Sequence, residues 1–212
     1  MTEEIFISPK KKGRIATLIS GRGSNFKAIH DAILREEINA EIVLVFSNKE
    51  NAPGLTLARK RNLETLYLDP KAYSNREEYD KDVIKEINKR DVDLICLAGY
   101  MRILTPLFCR AFKNRIINIH PALLPSFPGL HVQKKAIDWG VRYSGATTHF
   151  VTATVDMGPI ILQAIVPVIQ DDTEDTLSER ILKEEHKIYP ESVKLFFEGK
   201  IEVRGRRVFI KE

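Results

Sequence analysis

The chain has 212 residues, close to the size of one α/β domain, which commonly runs to about 100–200 residues; 43% are hydrophobic, 29% are charged, and the formal net charge is +4. This balance excludes a disordered chain and a nucleic-acid binder built on a basic stripe, and no apolar run approaches the roughly 18 residues that a membrane helix needs. A mild positive excess suits small anionic ligands such as phosphates and carboxylates.

Residues 1–12 read as a polar tail whose Lys10-Lys11-Lys12 run, with Arg14, is a solvated segment to which no function is assigned. The opening Met1-Thr2-Glu3-Glu4 lacks the basic-then-apolar order of a signal peptide, so a soluble cytoplasmic protein is expected. Residues 14–19 form a short apolar strand that stops at the turn-forming Ser20-Gly21-Arg22-Gly23-Ser24. Asn25 is expected to cap the helix that follows, whose Phe26, Ile29, Ala32 and Ile33 have helical spacing. Residues 41–46 are nearly all apolar, as a parallel strand covered on both faces should be. A helix follows Pro53, a short strand lies near Leu66, a charged helix covers 76–90, and an apolar strand over 92–98 ends at Gly99. Alternating β and α of this kind predicts a parallel sheet.

A helix from about Thr105 leads to a strand over 115–120, which ends at His120 because Pro121 cannot donate to a sheet ladder. Residues 147–152 and 159–168 read as longer strands able to add antiparallel edges, and a long helix over about 174–197 closes the core. A hairpin over about 200–211 turns at Gly205. Neither a repeat nor a Gly/Ser linker divides the chain, so residues 13–212 are expected to be one domain. The two cysteines, Cys96 and Cys109, lack metal or redox spacing and read as small core residues.

Three places carry chemical potential. The loop Ser20-Gly21-Arg22-Gly23-Ser24-Asn25 follows a strand and opens a helix, where backbone amides and the positive helix end can receive a phosphate. It is neither a Walker A loop nor a complete dinucleotide fingerprint, and by itself it equally fits a plain βα turn. In Asn118-Ile119-His120-Pro121, alternate residues of a strand share a face, so an amide donor and an imidazole lie side by side at the carboxyl end of the sheet, where α/β proteins bind ligands. An isolated Asn-x-His is more commonly a hydrogen-bonded strand terminus. Asp156, before Met157-Gly158-Pro159, fits an Asx-turn, and only its combination with His120 suggests acid–base work.

Taken together, these motifs resemble the phosphoribosylglycinamide formyltransferase family, within the folate-dependent formyltransferases, from Arg14 to about Phe197. The carriers are the 20–25 loop, Val45-Phe46-Ser47-Asn48, Leu97-Ala98-Gly99-Tyr100-Met101-Arg102-Ile103-Leu104, Asn118-Ile119-His120-Pro121-Ala122-Leu123-Leu124-Pro125, Thr148-His149-Phe150-Val151 and Glu185-His186-Lys187-Ile188-Tyr189-Pro190. The resemblance implies a Rossmann-like, mostly parallel twisted sheet with helices on both faces and antiparallel strands in the C-terminal part. It implies Asn118, His120 and Asp156 as the catalytic trio. It places the ribonucleotide on Gly21, Arg22, Gly23, Ser24, Asn25 and Glu185, and the folate on Arg76, Met101, Arg102, Ile103, Leu104 and Asn118.

The implied reaction moves the formyl group of 10-formyltetrahydrofolate to the amine of glycinamide ribonucleotide, without a metal. The implied partners are those two small molecules, with neither nucleic acid nor membrane, and a monomer or homodimer. Formyltetrahydrofolate deformylase resembles the same catalytic half but normally has an additional N-terminal domain, for which the residues ahead of the first strand are too few. Methionyl-tRNA formyltransferase shares the Asn-x-His chemistry but has a C-terminal RNA-binding domain that is not expected here. A binding module that kept the fold without the reaction would not need the intact trio.

Overall fold

Strands made of unbroken apolar residues need cover on both faces, which the alternation of β and α supplies. The structure, a computed structural model, describes residues 12–211; the remainder of the expected polar tail, with Lys10 and Lys11, lies outside the described residues. Strands β1 (Gly13–Ile19), β2 (Ala40–Ser47), β3 (Thr65–Tyr67), β4 (Leu94–Leu97) and β5 (Ile116–His120) run parallel. Strands β6 (Tyr143–Phe150) and β7 (Ile160–Pro167) add antiparallel, completing a seven-stranded sheet of order β3-β2-β1-β4-β5-β6-β7. This is the expected mostly parallel sheet with antiparallel strands toward its C-terminal part. The expected hairpin is also present, as β8 (Ile201–Arg204) and β9 (Arg207–Ile210), with Gly205 at φ 60° in the turn.

Helices α1 (Ser24–Leu34), α2 (Pro53–Lys60), α5 (Val132–Asp138) and α6 (Glu174–Phe197) cover one face, while α3 (Arg76–Asn88) and α4 (Pro106–Ala111) cover the other. The two-residue period of a strand divides side chains between these cores. In β4, Leu94 and Cys96 join the α1–α6 core and Ile95 and Leu97 join the α3–α4 core. In β5, Ile117 and Ile119 go to the first core and Ile116 to the second. Asn118 and His120 are in phase with Ile116, so both project toward the α3–α4 side at the carboxyl end of the sheet.

The structure departs from the sequence reading at a few points. Helix α5 was not expected, because Val132 and Ala136 are its only fully buried positions and its pattern is too short to show a period. Strand β6 starts at Tyr143, ahead of the expected 147, since Ser144, Gly145 and Ala146 are small and lack a β-forming signature. Gly145 is required there: a Cβ would lie 1.9 Å from the Ala164 carbonyl oxygen of β7. Asn25 does not cap α1. The cap is Gly23, in the left-handed region at φ 73°, and the Asn25 side chain turns elsewhere.

Helix α6 is pinned to the sheet from within. Tyr189 is fully buried, and its hydroxyl lies 2.9 Å from the Ile117 carbonyl and 3.1 Å from the Leu97 carbonyl, so one proton serves the ends of both β4 and β5. Ile117 immediately precedes Asn118, which ties the position of the candidate amide to this contact. Replacing Tyr189 by Phe leaves both carbonyls without that donor at a site closed to water. Urea unfolding of Tyr189→Phe is expected to show a loss of about 1–3 kcal/mol of stability.

Candidate active site

Strand β5 delivers its two polar side chains to a place where β6 and the turn after it converge. Antiparallel pairing sets Asn118 opposite His149 and His120 opposite Thr147. The turn between β6 and β7 then folds back and brings Asp156 over the strand ends, with its Oδ2 3.4 Å from His120 Nδ1 and its Oδ1 3.7 Å from His149 Nε2. Asp156 Oδ2 also accepts the Gly129 N–H at 2.9 Å. Asn118, His120 and Asp156 are therefore gathered as the sequence suggested, and the structure adds His149 to them.

The hydrogen bonds define the resting state of each ring. His149 Nδ1–H donates to the Phe150 carbonyl at 2.9 Å, which leaves Nε2 to accept from the Asn118 amide at 3.2 Å. The 3.7 Å separation between Nε2 and Asp156 Oδ1 exceeds a hydrogen bond. His120 Nε2–H donates to the Phe127 carbonyl at 2.9 Å. The His120 ring N–H is engaged by Phe127, whereas His149 takes only one of the two N–H groups of the Asn118 amide. A ligand oxygen must compete for the ring N–H but can meet the second amide N–H directly.

Burial is the largest influence on His120 and lowers its pKa; the Phe127 carbonyl and the Asp156 charge oppose it without prevailing. Burial would raise the Asp156 carboxyl, but the His149 ring, the Gly129 amide and His120 outweigh it and hold the pKa below the ordinary aspartate value. At neutral pH the arrangement is a carboxylate facing a neutral imidazole, ready to stabilise a proton that arrives on His120 Nδ1. Asp156 has φ 53°, in the left-handed region that aspartate tolerates better than branched residues do.

The glycine loop stands at the carboxyl end of β1. Its Gly21 carbonyl accepts the Gly54 N–H at 3.0 Å, so α2 docks directly against it. That approach depends on Gly54, whose Cβ would meet Ile19 Cδ1 at 2.4 Å and Gly21 O at 3.0 Å. Asn25 Nδ2 donates to Glu185 Oε2 at 2.7 Å, joining the loop to α6. Burial raises the Glu185 carboxyl pKa, against the pull of Asn25. Asn25 Oδ1 is buried and has no partner among the described residues. Arg22 is exposed and Ser24 half-buried.

The remaining candidates lie after β4. Met101 and Ile103 present apolar surface, being 64% and 57% exposed, whereas the Leu104 side chain is buried in the α3–α4 core. Arg102 stacks over the Tyr79 ring at 4.3 Å. Arg76, at the start of α3, donates to the Ile103 carbonyl and fixes this loop from outside. A cavity of about 690 Å³ lies behind the Asp156 turn, lined by Cys109, Arg110, Val151, Thr152, Met157 and Arg206 among others, and contains none of Asn118, His120 and Asp156. The chemistry is placed by the converging polar side chains, not by that cavity.

His149 is the residue that sequence reasoning left without a role. The available signal was a histidine between Thr148 and Phe150 near the end of β6, whose register against β5 could not be read from spacing.

The formyl transferase family matches residues 13–193 of this chain. The phosphoribosylglycinamide formyltransferase of Escherichia coli (strain K12) is 44% identical over 196 residues, covering 92% of this chain and 92% of that protein. The trifunctional purine biosynthetic protein adenosine-3 of Drosophila melanogaster is 45% identical over 192 residues, covering 90% of this chain, which spans only 14% of that longer protein. Among solved structures, glycinamide ribonucleotide transformylase 1 from Symbiobacterium toebii superimposes with a TM-score of 0.95 at 46% identity, with each chain covered in full.

The depressed His120 pKa carries a sign for stability. Because the folded state resists protonation of this ring, stability is complete above the unfolded value near 6.5 and falls as the pH drops through it. His30 and His186 are shifted the same way and add to the slope. Asp156, depressed as well, loses its contribution at lower pH, below about 3.9. Thermal unfolding midpoints are expected to fall from about pH 7.5 to 5.5, with a shallower fall in His120→Gln; an equal slope in the variant contradicts this assignment.

Proposed function

This chain belongs to the formyl transferase family, and from that membership and the geometry at the end of β5 we propose that it transfers the formyl group of 10-formyltetrahydrofolate to the amine of glycinamide ribonucleotide. The products are formylglycinamide ribonucleotide and tetrahydrofolate, in de novo purine biosynthesis. The observation that carries the reading is the Asp156 carboxylate, brought from a distant turn to 3.4 Å from the His120 ring beside Asn118.

The amine nitrogen attacks the formyl carbon, the C–N bond forms, and negative charge collects on the formyl oxygen. Asn118 offers that oxygen the amide N–H that His149 does not use, and the His120 N–H leaves the Phe127 carbonyl to join it. Donors of this kind are worth about 3–4 kcal/mol each when well placed. As the bond from carbon to the folate N10 breaks, the proton lost by the attacking amine passes to the departing nitrogen, with His120 as carrier and Asp156 stabilising the charged ring. The amine is its own nucleophile, and the folate brings the activated carbon.

The ribonucleotide binds on Gly21, Arg22, Gly23, Ser24 and Asn25, with Glu185. The unpartnered Asn25 Oδ1 beside the Glu185 carboxyl suits a ligand that offers hydroxyl donors, as a ribose does. The pterin end of the folate lies on the 101–104 loop, where Met101 and Ile103 are exposed, with Arg102 and the Leu104 backbone beneath and Arg76 at the rim. Residues 13–212 act as one catalytic domain in the cytoplasm, as a monomer or homodimer, on these small molecules alone.

The reading is tested by absorbance at the folate band with glycinamide ribonucleotide and 10-formyltetrahydrofolate added singly and together. Signal that requires both is expected; turnover with the folate alone means hydrolysis and replaces the reading. Asp156→Asn is expected to lower kcat by about 10²–10⁴-fold with folding retained, and unaltered transfer by this variant refutes the role. Asn118→Ala is expected to lower kcat by about 10²–10³-fold.

A further inference from the structure

The two loops assigned to the two substrates are joined by one buried side chain. Ser20 is the first residue after β1, is 5% exposed, and opens the 20–25 loop. Its Oγ accepts the Met101 N–H at 2.8 Å and donates to Asn48 Oδ1 at 2.6 Å, and its own N–H donates to the Gly99 carbonyl at 3.0 Å. Among the described residues, the hydrogen bonds between the 20–25 loop and the 99–104 loop are both made by Ser20. Asn48, at the end of β2, fixes the direction in which the hydroxyl donates and so leaves its lone pair facing Met101.

We propose that Ser20 is a positioning residue that couples the two substrate loops, so that a ligand on either one raises affinity on the other. The proposal rests on the substrate assignment given above. Ser20 is too deeply buried to recognise a ligand itself. When a phosphate orders the 20–25 loop, the hydroxyl is held in place. Its grip on the Met101 amide then fixes the turn that presents Met101 and Ile103. Coupling of this kind is reciprocal by thermodynamic necessity, so the folate must enhance ribonucleotide binding by the same factor.

The test is calorimetric titration of the full chain with glycinamide ribonucleotide and tetrahydrofolate, a pair that cannot react because neither carries the formyl group. In the wild-type protein, saturating ribonucleotide is expected to tighten tetrahydrofolate binding by roughly 5-fold or more, and the converse titration to give the same factor. Ser20→Ala is expected to bind both ligands with a factor near 1, and Ser20→Thr, which keeps the hydroxyl, to recover the coupling. Asn48→Ala, which removes only the orienting acceptor, reads the same link if the alanine at position 20 impairs folding, and its factor is expected to fall as well. Wild-type coupling retained in Ser20→Ala or in a folded Asn48→Ala, or a wild-type factor of 1, overturns the proposal. Absence of binding of either ligand to wild-type protein instead removes the substrate assignment on which it stands.

Discussion

A partly buried carboxylate set against imidazole rings is the constraint to which the rest of this site answers. An uncompensated buried charge costs several kcal/mol, and Asp156 offsets part of that cost by accepting the Gly129 amide, while His120 Nδ1 and His149 Nε2 face it at 3.4 and 3.7 Å. To reach them, the β6–β7 turn must reverse tightly enough for the carboxylate to point inward. Two local features allow it. Asp156 takes a left-handed backbone at φ 53°, and Gly158 has no side chain where a Cβ would lie 1.6 Å from the Phe150 carbonyl oxygen. The glycine two positions downstream is thus as necessary to the carboxylate's placement as any residue that touches it.

The cleft itself follows from topology. Strand order reverses direction between β1 and β4, the connection after β1 passing to the α1–α6 face and that after β4 passing to the α3–α4 face. Chain segments that leave neighbouring strands toward opposite faces open a crevice between them, which is where ligands gather in α/β sheets. The glycine loop occupies one side of the crevice and the Met101–Leu104 segment the other. Strand β5 lies next to β4, with Leu97 paired to Asn118, so the polar strand tip is delivered beside the crevice by register alone.

How much of this could be read in advance depended on how local each cause was. The apolar runs of β2, β4 and β5 are legible because a covered parallel strand must be apolar throughout, and the span of α6 is legible because a long helix repeats its pattern many times. The start of β6 was not, since Ser144-Gly145-Ala146 is shaped by close approach to β7 and not by intrinsic preference. The role of Asn25 was misread for a similar reason: a cap and a tertiary partner use the same side-chain amide, and the choice of Glu185 is made by α6, 160 residues away. Asn118 and His120 share a face by strand period, which any sequence displays. Their proximity to Asp156 and His149 is a matter of register and turn geometry, and only the recurrence of these residues together, through resemblance, pointed to it.

Unmet hydrogen-bonding groups sharpen the distinction between core and site. Buried polar atoms without partners are few in native proteins and call for a cause. Thr17 Oγ1 and Ser144 Oγ lie in strands of the sheet, where a hydroxyl without a partner is a modest cost borne by the surrounding packing. His186 Nε2 lies on α6, whereas Asn25 Oδ1, in the first turn of α1 where the glycine loop ends, and Arg102 Nε, on the loop after β4, flank the crevice. Asn25 is already anchored through its Nδ2 to Glu185, and Arg102 through its stacking on Tyr79, so each side chain is held in place while keeping one polar group unused. A side chain fixed by one group and unsatisfied at another is prepared to meet a ligand without first paying to be ordered, and the two loops joined by Ser20 each carry one.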